Sequence, residues 1–453
     1  MRASGLSRLT LCLCLLVQAV DARADEPPQK RALPNYDGRG GPRETPARKL
    51  LWIPRVLLFP AYVVSEYVVR RPLAAGVSYA ERARWPAAIS DFLGLNVVRP
   101  VGVAPFMLVD FGFEPSVGLY AYWDDAGFKG HDLRFHGSTW GPHWLSGSLK
   151  ERFQFEKLVV SLKGKLTKRP DLTFYGIGPD TRESELVRYS GKTAYAHAQT
   201  SLPFGENDWL ETIVGYRGAS FGHSDYDLED RGKPDYEPSL DDAVEAGTLP
   251  EPAGFRDGYR IVFAGSRLVL DSRGRRRRTS GVRLDVSAEQ SADLGATPTA
   301  GWLRYGGTLG GFVDLRQGGR VLGVAVSAEL VDPLAAGRIP FTQLAHLGGG
   351  STMPGLRAGR LYDRSSAVLD VRYTWPILFS LRGSLQVGIG NVFGAHFSGL
   401  RPARTRLSSA IGLETSGSDD TIFQALLGFG TETLESGAAL DSIRFVVGLR
   451  EGF

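Results

Sequence analysis

Arg357 and Arg360 stand three residues apart in "MPGLRAGR", between the glycine run Gly348, Gly349, Gly350 and the alternating segment "SSAVLDVRYTWPI". Guanidinium groups in such a setting offer anchoring chemistry, because an arginine can grip a carboxylate through charge-assisted, bidentate hydrogen bonds that gain strength when shielded from water. Gly355 and Gly359 give the loop the backbone freedom to fold back on itself. Other charged or ligating groups promise less. In "HDLRFH", His131 and His136 are five residues apart, so a strand would point them to opposite faces and no metal site is expected. The acidic runs "DYDLED" and "DYEPSLDD" lack the spacing of a calcium loop and read as a solvated charged loop. "RGRRRR", Arg273 to Arg278, reads as a basic turn for anionic headgroups or partner proteins, too isolated to suggest nucleic acid. No serine, histidine and acid set has a suggestive spacing, so neither an enzyme nor a cofactor is expected.

The elements that must position the arginines are strands. In "GVRLDVSAEQ", Val282, Leu284, Val286 and Ala288 share one face, with Arg283, Asp285, Ser287 and Glu289 on the other. "VLGVAVSAEL" repeats the period with Leu322, Val324, Val326, Ala328 and Leu330, and "SIRFVVGLREGF" repeats it with Ile443, Phe445, Val447, Leu449 and Phe453. From Val103 onward roughly sixteen such segments follow, of about the nine to eleven residues with which a tilted strand crosses a bilayer. Long connections ("FYGIGPDTRESELVRYS", His223 to Phe255, the loop holding MPGLRAGR, "GNVFGAHFSGLRPAR") alternate with short ones ("GFKG", "FGEND", "RGRRRR", "RQGG", "WPI", "SGSDD"). That rhythm predicts an all-β, membrane-spanning, antiparallel up-and-down barrel of sixteen strands, with short turns and both ends in the periplasm. Backbone polar groups in lipid must all pair, so the sheet has to close. Trp123, Trp140, Trp144, Trp302 and Trp375, near strand ends, are expected in the interfacial girdles.

Length and composition allow one large domain or two to three ordinary ones. The chain carries 56 glycines, only 2 cysteines and a formal net charge of +4. Arg2 and Arg8 precede the apolar "LTLCLCLLVQAV" and the small-residue "ARA" ends at Ala24, so residues 1–24 read as a signal peptide and the mature chain as starting at Asp25. Cys12 and Cys14 would leave with it; a lipid anchor on either is disfavoured, because each sits inside the apolar run behind a leucine. Residues 25–46 read as a flexible linker. Residues 47–100 hold "KLLWIPRVLLFPAYVVSEYVVRRPL", which Pro54, Arg55, Pro60 and Glu66 interrupt too often for a spanning helix. A short helical segment at the membrane surface, with Trp52, Tyr62 and Tyr67 at the interface, is expected there, a buried helix pair being the alternative. Residues 101–453 are the barrel.

Several motifs in that barrel carry a resemblance. "FYGIGPDT" (Phe174 to Thr181) followed by Tyr189, "LGGGSTMPGLRAGRLYDRSSAVLDVRYTWPI", "GIGNVFG" (Gly388 to Gly394) and the terminal Phe453 resemble, in order and spacing, the BamA/TamA family, also called the bacterial surface antigen family. The likeness runs over roughly Pro100 to Phe453. It implies a sixteen-stranded outer-membrane barrel of a Gram-negative bacterium whose sixth outer loop folds into the lumen, where the motif arginine meets acids of the inner wall. Carried over, that arginine is Arg357, the acid is Asp370, and Arg372 lies two residues on; Glu329, inward near the outer end of its strand, is a second partner. Two departures stand out: Ala358 follows the arginine where the family has glycine, and Gly388 stands where the family often has an inward acid. No periplasmic polypeptide-transport-associated (POTRA) module is read before the barrel, because residues 25–100 lack its strand and helix alternation.

Two functions from different classes fit. One is a factor that assists insertion or translocation of proteins, or lipids, through a weak lateral seam between first and last strands, with Val109 and Val447 near it and with Phe445, Gly448 and Phe453 as the signal of the closing strand. Gly448 and Gly452 are expected to weaken pairing there. The other is a passive pore or structural barrel. Outer-membrane lipid, lipopolysaccharide and client membrane proteins are the expected partners.

Overall fold

The computed structural model describes residues 100–226, 236–274, 279–296, 298–315, 319–350, 352–378, 381–415 and 421–451. The expected signal peptide, linker and helical segment, together with Gly452 and Phe453, lie outside them. The strands are β1 (Val101–Asp110), β2 (Ser116–Trp123), β3 (His131–Trp140), β4 (Trp144–Phe155), β5 (Leu158–Phe174), β6 (Val187–Pro203), β7 (Trp209–Gly222), β8 (Tyr259–Asp271) and β9 (Gly281–Asp293). They continue with β10 (Ala300–Asp314), β11 (Val321–Pro333), β12 (Ala345–Leu347), β13 (Leu361–Asp363), β14 (Ser365–Leu378), β15 (Leu381–Phe393), β16 (Arg406–Thr415), β17 (Thr421–Thr433) and β18 (Leu440–Glu451). Sixteen of them close into one barrel in sequence order, β1 meeting β18, while β12 and β13 form a separate hairpin inside the loop between β11 and β14. Neighbouring strands run antiparallel, as short turns require.

Period two decides which face meets the exterior. Val282 and Val286 of β9 and Val324 and Val326 of β11 are exposed on the outer face. Their polar neighbours turn inward, where Arg267 and Arg283 both grip Asp285, at 2.7 and 2.8 Å. Apolar side chains outside and ion pairs inside are what a hydrocarbon surrounding selects. Trp123 sits on the outer face at its strand end as expected, whereas Trp140, exposed at the end of β3, shares the inward register of its cross-strand partner Trp144. Trp375 covers Gly383, where an added Cβ would lie 2.2 Å from its ring. Trp144 and Trp302 do not join a girdle. Both are turned inward and buried, Trp302 in an apolar cluster with Tyr259, Phe263 and Val331.

The four long connections, 175–186, 223–258, 334–364 and 394–405, all lie on one rim, although several others on that rim are as short as those opposite. Parts of the first three fold into the lumen, while the fourth is largely exposed. Phe174, Tyr189, Phe255, Phe341 and Tyr362 build an aromatic cluster in which the Phe341 ring centroid stands 5.2 Å from Phe174 and 5.5 Å from Tyr189. A short helix α1 (Leu240–Glu245) adds Leu240 and Ala243 to it. Buried aromatics of this size contribute roughly 1.5–3 kcal/mol each by removal from water. The lumen is therefore not uniformly wet: its long-loop end is packed as a protein core. Of the basic turn, Arg275 to Arg278 lie outside the described residues; Arg273 folds back onto buried Asp271 at 2.6 Å and over the Phe312 ring.

Candidate functional site: an inserted loop beside the seam

The loop 334–364 carries its hairpin down the inside of the wall. Met353, Leu356 and Leu361 are fully buried and pack with Leu347, Val368 and Val392, which holds the tip by apolar contact. Gly348 and Gly349 turn the chain after β12, and Gly349 N donates to Leu356 O at 2.9 Å. Gly355 lies directly on β17, so a Cβ there would come within 2.1 Å of Phe429 O. Its N–H donates to Ser408 Oγ at 2.8 Å, and its carbonyl accepts from Ser442 Oγ at 2.7 Å. Gly359, at φ +75°, presses on Thr173 of β5 with no room for a side chain. Gly355→Val is expected to expel the tip, because strand backbone cannot retreat; a protease cutting the loop far faster than in the parent would show it, and unchanged resistance would refute the contact.

Arg360 is the buried anchor. Its side chain has no solvent exposure; Nε donates to Asp441 Oδ2 at 2.9 Å, and its two terminal nitrogens each donate at 2.8 Å to Thr181, one to Oγ1 and one to the carbonyl. The guanidinium also lies 3.4 Å from Glu432 and over the Tyr175 ring. Arg406 of β16 completes the cluster, donating to Glu432 at 2.6 Å and to Thr181 O at 2.5 Å. Two buried arginines thus face two acids from the last two strands. Gly178 N donates to Tyr362 O and Asn391 Nδ2 to Pro179 O, so the "FYGIGPDT", "MPGLRAGR" and "GIGNVFG" motifs converge on one spot.

Glu183, in the 175–186 connection, borders this cluster 3.8 Å from Arg360. Burial, reinforced by the Asp441 carboxylate against the opposing pull of Arg357, pushes its carboxyl from the ordinary 4.5 up to about 8. Glu183 Oε2 and Asp441 Oδ1 are both buried without a donor, and a proton on Glu183 supplies one. The native state therefore binds a proton that the unfolded chain releases near 4.5, so loop docking weakens as pH rises from about 4.5 to about 8 and levels off beyond. Glu183→Gln should abolish that slope in a pH series of loop protease resistance. An identical slope in the variant would count against a proton on Glu183.

The expected anchor set is rearranged. Arg357 does not reach Asp370; it lies 3.5 Å from Glu183 and 3.8 Å from Glu237, beside Gly112 of the β1–β2 turn. Asp370 accepts from Gln386 at 2.9 Å, Arg372 pairs with Glu414 at 2.7 Å, and Glu329 with Arg304 at 3.2 Å, all inward as predicted yet none holding the tip. With no side chain at Gly388, Met353 settles beside it, 3.7 Å from where a Cβ would stand; Arg360 reaches Glu432 of β17 and Asp441 of β18, while Arg357 turns to Glu183 and Glu237. Among the acidic-loop residues, Asp241 pairs with His223 Nδ1 at 2.9 Å.

The seam lies next to this loop. Among the described residues, β1 and β18 share three registered pairs, Leu108 with Gly448, Val109 with Val447 and Asp110 with Val446, against eleven between β17 and β18. Gly448 does not loosen the join as expected: a Cβ there would lie 2.4 Å from Met107 O, so its bareness lets β1 approach. Phe445 faces out and meets Phe111 edge-on across the join, at 5.7 Å between centroids. On the inside Arg444 clamps Asp110 through two hydrogen bonds of 3.0 and 2.6 Å. The same guanidinium donates to Pro354 O and Gly349 O of the inserted loop, each at 3.2 Å. One side chain thus ties seam and loop together.

No family model and no curated protein matches the sequence. Among solved structures, the chain is similar to BamA from Haemophilus ducreyi lacking POTRA domains 1–3, with a TM-score of 0.51 and 14% identity over 77% of this chain and 70% of that one. CdiB from Acinetobacter baumannii gives 0.46 and 10% identity, over 78% of this chain and 60% of that one. CdiB from Escherichia coli gives 0.49 and 11%, over 77% and 63%. The chain spans less than two thirds of either CdiB. At such identities the likeness to BamA is one of fold: the barrel is of the BamA type, as the motifs suggested.

Proposed function

We propose that this protein assists the insertion or translocation of proteins, or lipids, at the outer membrane of a Gram-negative bacterium by opening its barrel between β1 and β18. The carrying observation is the three-pair seam, closed on its inner side by Arg444 and Asp110. A strand edge that opens offers unpaired N–H and C=O groups to an incoming strand, which pairs by β-augmentation. Closure that depends on few backbone pairs costs little to reverse, and a guanidinium shared with the loop makes seam and loop respond as one unit. The passive-pore reading has less support, because the aromatic cluster and the inserted hairpin occupy the lumen's long-loop end. In liposomes the protein should accelerate membrane insertion of an unfolded client barrel while giving small, unsteady conductance. High steady conductance with no acceleration of client insertion would favour the pore and contradict the proposal.

A further inference from the structure

The outer face of β5, β6 and β7 carries a feature that the seam does not use. At the long-loop rim, Lys168 and Lys192 are direct cross-strand partners, and Lys192 is in turn the partner of Ser220. Lysines placed opposite each other repel unless an anion lies between them. They line a cavity of about 230 Å³ with Ser190, His143 and His223; Asp225 also lines it and offsets one positive charge. Lys168 Nζ donates to Pro142 O at 3.0 Å, which keeps that side chain at the rim.

Directly below, toward the membrane interior, the same three strands turn small. Leu166, Ala194 and Gly218 are successive cross-strand partners, followed by Gly164, Ala196 and Tyr216, then by Leu162, Ala198 and Val214. Gly164, Ala196 and Ala198 form the floor of a trough of about 500 Å³, with Leu149, Leu162 and the His131-paired Glu151 along one side and Val214 and Tyr216 along the other. From Ala196 to Lys192 is four residues, roughly 13 Å along a strand. A floor of small residues between apolar ridges fits an acyl chain, and the basic cavity sits where that chain's headgroup would be.

We infer that this face binds a phosphate-bearing lipid of the outer leaflet, its phosphate between Lys168 and Lys192 with Ser190 and Ser220 as hydroxyl donors, and an acyl chain in the Gly164–Ala196–Ala198 trough. The inference relies on the membrane placement proposed above but not on insertion activity, and its test reads lipid retention alone, so either can fail without the other. The purified full chain in detergent is offered lipid A or dephosphorylated lipid A, and retained lipid is read by native mass spectrometry. The parent should hold lipid A at least tenfold more tightly than the dephosphorylated form. Lys168→Gln/Lys192→Gln should lose about tenfold in lipid A retention, and Ala196→Phe, which fills the trough but keeps both lysines, should lose a similar factor. Equal retention by parent and lysine variant, no preference for the phosphorylated lipid, or full displacement of lipid A by millimolar inorganic phosphate would overturn the inference, the last because it would mark a free-anion site.

Discussion

Arg360→Ala is expected to be the most damaging single substitution in the inserted loop. It would strip Asp441 of its 2.9 Å partner and leave Arg406, 2.6 Å from Glu432 and 3.5 Å from Asp441, to face both acids, in a site where the Arg360 and Asp441 side chains have no exposure. Breaking a buried pair from one side costs about 3–5 kcal/mol, because the remaining charge stays desolvated. The two contacts to Thr181 go with it, so the hairpin also loses its link to the 175–186 connection. Arg357→Ala should cost about 1 kcal/mol or less, since its acids stand at 3.5 and 3.8 Å and its side chain keeps some solvent contact. Guanidinium unfolding of the two variants side by side measures the difference. A larger loss for Arg357→Ala would return the anchor role to the residue that the family motif designates.

The barrel was legible because period two is a property of short windows. "GVRLDVSAEQ" and "VLGVAVSAEL" each state which side faces lipid, and the positions of long connections then fix which rim they share. The convergence of "FYGIGPDT", "MPGLRAGR" and "GIGNVFG" was legible only as a resemblance, because nothing local says that loops separated by some two hundred residues meet. The anchor acid was hidden for a specific reason. Ile443 and Phe445 face out, so strict alternation puts Asp441 on the lipid face; a bulge opposite Gly430 and Thr431 resets the register and turns Asp441 inward. Arg357 and Arg360 lie three residues apart in an irregular loop, where no periodicity decides which one is buried. Trp144 and Trp302 misled because a tryptophan at a strand end fits a lipid interface or a packed loop equally well, and tertiary context chose the second.

The seam is the point on which the functional account turns, and a disulfide across it is the most direct test. Val109 and Val447 are registered partners on the outer face, so Val109→Cys/Val447→Cys can bridge β1 to β18 without touching Arg444 or Asp110. A control bridge, Leu284→Cys/Leu309→Cys, joins β9 to β10 at an equivalent pair far from the seam in the strand order. The quantity to measure is the rate at which an unfolded client barrel inserts into liposomes, with and without reductant. The account predicts near-complete loss of acceleration in the oxidised seam variant, full recovery on reduction, and no change in the control. Undiminished acceleration by the oxidised seam variant would contradict it.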